Sequence, residues 1–348
     1  MNVGEQTIEW LYRDQLQVDE QWSVRTERGF TWWADQNAQT IEILGEESLP
    51  DGPTGYLIGV RTEVVTDVEL TAAGLTELND GPMRCAALAG PVYDRERRTL
   101  SLSSLALVHD DEDSWTGVVL GSAAVSQVAE ARILGPDLAA ALGGRPALSG
   151  HPANGLRPTP DEMVDAVRLF VEAGQAPCRW PKSEFDSAVR EFMMQPPSIG
   201  ATSSGQGFTV EFPYGMRSSL CQVGAQPHPL YGNGLFVLQR FPFTVDTPAQ
   251  GAELALELNG VELTQNGTGF GFGSYVYDNG MLCFTGFFPN SLHGQIALPN
   301  LYFACAARAH AISVWLLDEP WTADSFSLGK STLGRKMMSA GTESRQRP

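Results

Sequence analysis

The chain has 348 residues, 43% of them hydrophobic and 18% charged, which excludes wholesale disorder and suits two domains better than one compact core. The formal net charge is −18; residues 1–150 hold 10 basic against 24 acidic side chains, so that part carries −14 and the remainder −4. A field of that sign repels nucleic-acid phosphates and anionic lipid, so it disfavours nucleic-acid binding and membrane insertion and leaves neutral or basic partners, or plain solubility.

In chain order, the opening "MNVGEQTIEW" has no basic region followed by an apolar run, so no secretory signal is expected. No uninterrupted apolar segment approaches the ~18–20 residues of a membrane span. Ile8, Leu11 and Tyr12 share one face of a helix predicted over Thr7 to Gln15. "FTWWAD" and "TIEIL" predict a hairpin, the Pro- and Gly-rich stretch Gly45 to Gly55 a loop, and "YLIGVRTEVV" a strand. Asp67 is the expected N-cap of a helix through Leu70, Leu75 and Leu78. "CAALAGPVYD" and "RTLSLSSLALV" predict a second hairpin, and an Ala- and Val-rich helix runs from Trp115 to about Ala131. The acidic run Asp110 to Asp113 precedes it, where carboxylates meet the positive end of the helix dipole. That run lacks the spacing and the glycine of a calcium loop.

Gly143 to Pro160 reads as a linker. Helices follow around Asp161 to Ala173 and Ser183 to Gln195, then strands in "FTVEFPYG", "SSLCQVG" and "LFVLQRFPF". After the helix "PAQGAELALELNG" comes a hairpin, "YVYDNGMLCF", in which Asp278-Asn279-Gly280 suits the positive φ angles of a type I′ turn. A last helix runs from Asn300 to about Leu317, and the basic, Ser- and Gly-rich tail from 321 predicts disorder.

The order of elements repeats. "RGFTWW" at Arg28 is matched by "QGFTVE" at Gln206, and Gly45, Pro50, Gly55 and Arg61 by Gly224, Pro229, Gly234 and Arg240. Glu77-Leu78-Asn79 is matched by Glu257-Leu258-Asn259, and Val92-Tyr93-Asp94 by Val276-Tyr277-Asp278. Four anchors in one order at a slowly drifting offset are the signature of an internal duplication. The expected fold is α+β, two tandem α-β-β-β-α-β-β-α units, each a twisted antiparallel sheet with helices on one face. The expected boundaries are 1–142, a linker at 143–160, 161–320 with an additional N-terminal helix, and the tail at 321–348.

Motifs that carry chemistry are wanting. "SLGKST" ends like a phosphate loop, but Asp324 stands where its first glycine belongs. Ser327 and Lys330 match S-x-x-K without its partner motifs. "GTGFGFGS" at Gly267 to Ser274 runs from helix into strand, the reverse of a dinucleotide loop, and suits close backbone approach instead. The five histidines have no metal spacing, and His228, between two prolines, is matched by Leu49. Five scattered cysteines suit reduced core thiols in a cytoplasm. No catalytic residue, cofactor or metal is expected.

The mismatches between the copies say more. Trp33 falls where the second copy has Glu211, so the indole is either covered by another part of the chain or offered to a partner. Leu100 and Leu102 alternate with Thr99, Ser101 and Ser103, whereas "MLCFTGFF" is apolar on both faces. A sheet with helices on one side then needs a sister sheet, a second chain or a peptide on the other.

"GLFVLQRFPF…GAELALELNG…YVYDNGMLCFTGFF" resembles the YbjN family and the related type III secretion chaperones, well over about 180–317 and more loosely over about 5–132. The resemblance implies a twisted antiparallel sheet with helices on one side. It also implies an acidic, cytoplasmic, non-catalytic chaperone or adaptor that engages an extended or amphipathic segment of a client protein. Such chaperones act as homodimers, and a tandem chain could be a monomer acting as a pseudo-dimer, or itself a homodimer. Trp33, Phe236, Leu238, Phe284, Phe287 and Phe288 are the expected client surface, on the side of the sheets away from the helices. The alternative is a sensor module that encloses a small apolar ligand.

Overall fold

The computed structural model describes residues 1–48, 54–109, 115–194, 196–203, 205–265, 268–294 and 296–318. The acidic run at 110–113, the phosphate-loop-like stretch at 324–331 and the tail lie outside the described residues.

Helix α1 (Val3–Trp10) starts at a capping box, in which the Asn2 side chain accepts from the Glu5 N–H and Glu5 returns a bond to the Asn2 N–H. A π turn (Leu11–Gln15) prolongs it. Strands β1 (Ser23–Arg25), β2 (Gly29–Trp32), β3 (Gln39–Ser48) and β4 (Thr54–Thr66) follow, each antiparallel to the next. Helix α2 (Ala72–Leu78) leads to the hairpin of β5 (Gly90–Asp94) and β6 (Thr99–Val108), with β6 beside β4, and then to α3 (Trp115–Ala141).

After the two-residue strand β7 (Arg145–Pro146) and helix α4 (Val167–Gln175), the plan begins again. Helix α5 (Lys182–Ala188) also runs on into a π turn, Val189–Met193. Strands β8 (Gly200–Ser203), β9 (Gly207–Tyr214), β10 (Arg217–His228) and β11 (Gly232–Phe241) precede α6 (Pro248–Thr264). The two-residue strand β12 (Phe270–Gly271), the hairpin of β13 (Ser274–Asp278) and β14 (Met281–Pro289), and α7 (Ala297–Ser313) complete it. The sheet orders are β1-β2-β3-β4-β6-β5 and β8-β9-β10-β11-β14-β13, the same topology twice. Each unit carries one short edge strand, β1 or β8, beyond those read from the sequence.

Several local expectations are refined. Asp67 is not an N-cap: its φ is +58, and Thr71 caps α2 by accepting from Gly74 N–H. Helix α3 extends to Ala141 and is long and apolar enough to cross a bilayer, which the sequence reading did not anticipate; 78% of that apolar stretch is buried inside the fold. Asn279 and Gly280 have φ of +50 and +78, as a type I′ turn requires. The ladders also shift the internal alignment by two residues. With Gly90 matched to Ser274, Arg61 opposite Ser103 corresponds to Leu238 opposite Thr285, and not to Arg240. An even shift keeps every side chain on its original face.

The units are interlocked. Helix α6 packs against β13 of its own sheet and also against β5 and β6 of the first, while α2 lies alongside α6. Strand β12 pairs with β6, Gly271 opposite Leu105, and the Phe287 N–H of β14 donates in return to the Ala87 carbonyl at 3.3 Å. The chain passes between the sheets at Gly273, where φ is +133 and a Cβ would lie 2.2 Å from the Thr285 carbonyl oxygen.

Both hydrophobic cores draw on both units. One joins Trp32, Ile58 and Val119 to Phe208, Val237 and Leu301. The other joins Leu78 and Leu100 to Leu258, Tyr275 and Trp315. Residues 143–160 pack as a strap on the first sheet: β7 pairs with β4, Ser149 N–H bonds the Gln36 carbonyl at 2.8 Å, and Asn37 Nδ2 bonds the Ala147 carbonyl at 3.2 Å.

Candidate functional site

The two outer sheet edges are equivalent in topology and unequal in cover. At the first edge the strap lies along the entry to β1: His151 Nε2 is 3.4 Å from the Ser23 carbonyl and Asn154 Nδ2 donates to the Gln21 carbonyl at 2.6 Å. Trp22 and Trp33 meet the His151 ring edge-on at 6.1 and 5.2 Å. Arg25 pairs with Glu9, putting a charge at the strand end. Charges and covering loops are how natural proteins keep a strand edge from recruiting another strand.

The second edge, β8, pairs with β9 on one flank and with no strand on the other among the described residues. Three of its four residues are exposed. Exposed apolar side chains occur in the segments around it: Met194 is 64% exposed, Ile199 60% and Phe303 56%. Phe303 follows Tyr302 on α7, and the Tyr302 hydroxyl accepts from the Ser198 N–H at 3.3 Å, which brings this part of α7 to the start of the edge. A backbone edge flanked by large exposed apolar groups offers main-chain hydrogen bonding and side-chain pockets together, the two requirements for adding an extended segment as a strand.

The outward face of the same sheet adds a shallow cleft of about 280 Å³, open to solvent and lined by Thr209, Gln222, Gln226, Phe236 and Leu238. Phe236 and Leu238 are half-buried there. Two further clefts exist. One of about 350 Å³ lies at the seam of the units, between Arg61 and Ser101 on the first sheet and Glu253, Glu257 and Thr264 on α6. The other, of about 690 Å³, lies between Trp22 and residues Arg157 to Met163, where the strap ends.

Only Phe236 and Leu238 of the six expected client-binding residues stand on that open face. Cross-strand pairing sets Phe236 opposite Phe287 and Leu238 opposite Thr285, so Phe284 and Phe288 point to the other, helix-bearing side. Phe288 packs there against Trp115, ring centroids 6.2 Å apart, and Phe284 lies under the Arg308 guanidinium at 3.5 Å. Phe287 does point outward, but the His228 and Tyr231 rings stack over it at 4.7 and 6.5 Å, leaving it 1% exposed. Trp33 is 6% exposed, its indole N–H bonded to Ser149 Oγ at 3.2 Å. The strap is its cover.

The cover over Phe287 is itself polar. His228 Nδ1 accepts from the Leu230 N–H at 3.2 Å, so the ring's Nε2–H donates to the Cys85 carbonyl at 3.0 Å. Burial lowers the His228 pKa, which favours the neutral ring. The Tyr231 hydroxyl donates to Glu130 on α3, and burial there pushes the Glu130 carboxyl up to about 7.

Sequence reasoning missed β8, Met194, Ile199 and Phe303. "SIGATSSGQG" has the Gly and Ser content of a loop, and a four-residue edge strand exists only because β9 supplies its partner. The chain matches no protein-family profile, no curated protein and no solved structure.

Proposed function

We propose that this chain is a non-catalytic chaperone or adaptor in which one tandem polypeptide acts as its own dimer and an extended client segment joins the second sheet along β8. The observation that carries the reading is the difference between two equivalent edges: a strap and an ion pair guard the entry to β1, whereas β8 has no second strand partner among the described residues and stands near the exposed side chains of Met194, Ile199 and Phe303. The client's apolar side chains would meet those residues at alternate positions. The net charge of −18 favours a client with basic residues and keeps the apolar margin soluble. The resemblance to the YbjN family and the type III secretion chaperones agrees with this reading, on which the protein works in the cytoplasm without a membrane or nucleic-acid partner. The sensor alternative needs an enclosed apolar pocket, and the three clefts described above open to solvent.

The test is purification from the native host, mass spectrometry of co-eluting species, and hydrogen exchange with and without the recovered polypeptide. Protection of the outward-facing Ala201 and Ser203 amides by that polypeptide, abolished by Ser203→Pro, is the expected result. Thr202 bonds Thr209 of β9, whereas Ser203 presents its N–H to the free edge, and proline there removes an edge donor and its ring obstructs an added strand. A stoichiometric small molecule with no polypeptide, or a polypeptide that leaves the Ala201 and Ser203 amides unprotected, rejects the reading.

A further inference from the structure

Cys221 on β10 and Cys305 on α7 are 1% and 0% exposed, with their sulfurs 3.3 Å apart. The other unit shows that the scaffold does not require them. Its ladder places Gln39 opposite Thr62, where the second unit has Cys221 opposite Gln239. Gln39 ties strand to helix through Nε2 and the Ala124 carbonyl, at 2.8 Å. The second unit makes that tie with Gln239, whose Nε2 bonds the Cys305 carbonyl at 2.8 Å. The thiol pair is therefore additional to the strand–helix joint that both units share.

A cation stands beside it. Arg308, one helical turn past Cys305, has Nη1 4.0 Å from the Cys305 sulfur and is held by Glu262 at 2.8 Å. The hydrogen bond from Cys221 lowers the Cys305 pKa, with Arg308 acting in the same direction, and that bond together with burial raises the pKa of Cys221. The guanidinium beside Cys305 favours negative charge on that sulfur, which makes Cys305 the first to react and Cys221 the thiol that resolves it.

We propose that Cys221 and Cys305 are a reversible thiol–disulfide couple, a modification site at which a peroxide staples strand β10 to helix α7. The Cys305 thiolate attacks a peroxide oxygen, the O–O bond breaks, and hydroxide leaves, giving a sulfenic acid. Cys221 sulfur then attacks Cys305 sulfur. The S–O bond breaks, and the departing hydroxide takes the Cys221 proton as water. The balance is two thiols and one hydrogen peroxide to one disulfide and two waters. The sulfurs must close from 3.3 Å to about 2.0 Å, a shift that side-chain rotation and a small movement of α7 can supply.

The test uses the full chain, treated with hydrogen peroxide, alkylated under denaturing conditions and mapped by peptide mass spectrometry. The expected product is a cross-linked peptide pair containing Cys221 and Cys305, lighter by about 2 Da than its reduced components. Dithiothreitol should restore both thiols, and the oxidised chain should melt at a higher temperature than the reduced one. In Cys221→Ser, Cys305 should instead be trapped as the sulfenic acid by dimedone. If both thiols remain alkylatable at doses that oxidise the exposed Cys85, or if Cys305 goes to the sulfinic acid while Cys221 stays free, the couple does not exist. Should Cys221→Ser fail to fold, the wild-type map decides alone.

Discussion

Asn79→Ala tests whether the two units are one cooperative body. The Asn79 side chain, 7% exposed, bonds the Tyr277 N–H at 2.8 Å through its oxygen and the Tyr277 carbonyl at 2.9 Å through its nitrogen, clasping the second unit's edge strand from the first unit. Alanine leaves a peptide N–H and a peptide carbonyl without partners at a residue only 7% exposed. Each such group costs about 1–3 kcal/mol when buried and unpaired, so the loss should come to about 2–4 kcal/mol once partial relaxation is allowed for. Arg84→Ala is the control. Its ion pair with Asp278 at 2.6 Å lies beside the clasp, but the Arg84 side chain is 42% exposed, so it should contribute less than about 1 kcal/mol. Urea unfolding followed by both far-UV circular dichroism and tryptophan fluorescence should show one coincident transition, displaced by Asn79→Ala across the whole chain, because both cores contain residues of both units. Two separable transitions with only one displaced, or an Asn79→Ala effect no larger than that of Arg84→Ala, would refute the shared core as the source of stability.

Three further outcomes follow from the buried polar groups. In the same urea titration Asn259→Ala should cost about half as much as Asn79→Ala, since it strands only the Tyr275 N–H, held at 2.7 Å, while its other partner at 2.8 Å, the Ser274 hydroxyl, still donates to the Tyr275 carbonyl. The Glu130 carboxyl, raised by burial to about 7, is favoured in the fold as the neutral acid. Its penalty is absent below the ordinary carboxyl range, grows as pH rises toward 7 and is complete above it, reaching about 3 kcal/mol by linkage. Glu130→Gln keeps an acceptor for Tyr231, so it should raise the urea midpoint at pH 8 and leave it nearly unchanged at pH 4.5; equal midpoints at both pH values would contradict the burial argument. Arg308 and Glu262 form a fully buried pair at 2.8 Å, so Arg308→Met should cost about 3–5 kcal/mol by stranding the carboxylate, and adding Glu262→Met should recover a large part of it. A double variant as unstable as the sum of the singles would mean the pair is not coupled.

Local signals in the chain carry their own physics, and these were legible. The type I′ turn at Asn279-Gly280 is a requirement of two positive φ angles. The alternation of strands and the order of helices are set by side-chain period, and their recurrence marks the duplication that the identical sheet orders display. Burial was much less legible. "MLCFTGFF" was correctly apolar on both faces, yet which face each phenylalanine joins depends on its strand partner, and Phe287 is covered only because His228 and Tyr231 fold over it. Glu130 lies in an Ala- and Val-rich helix and looks like an ordinary solvated charge until Tyr231, from 101 residues away, closes on it.

The amino-acid order alone determined that one α+β plan occurs twice, that acid predominates and that no familiar catalytic motif is present. The tertiary structure decided that the copies share two cores, that residues 143–160 pack along the entry to β1, and that β8 has no second strand partner among the described residues. The reason is the range of the interactions. Turns, caps and periodicity are settled within a few neighbouring residues, whereas covering a surface requires segments a hundred or more positions apart, whose meeting depends on how the two sheets pack.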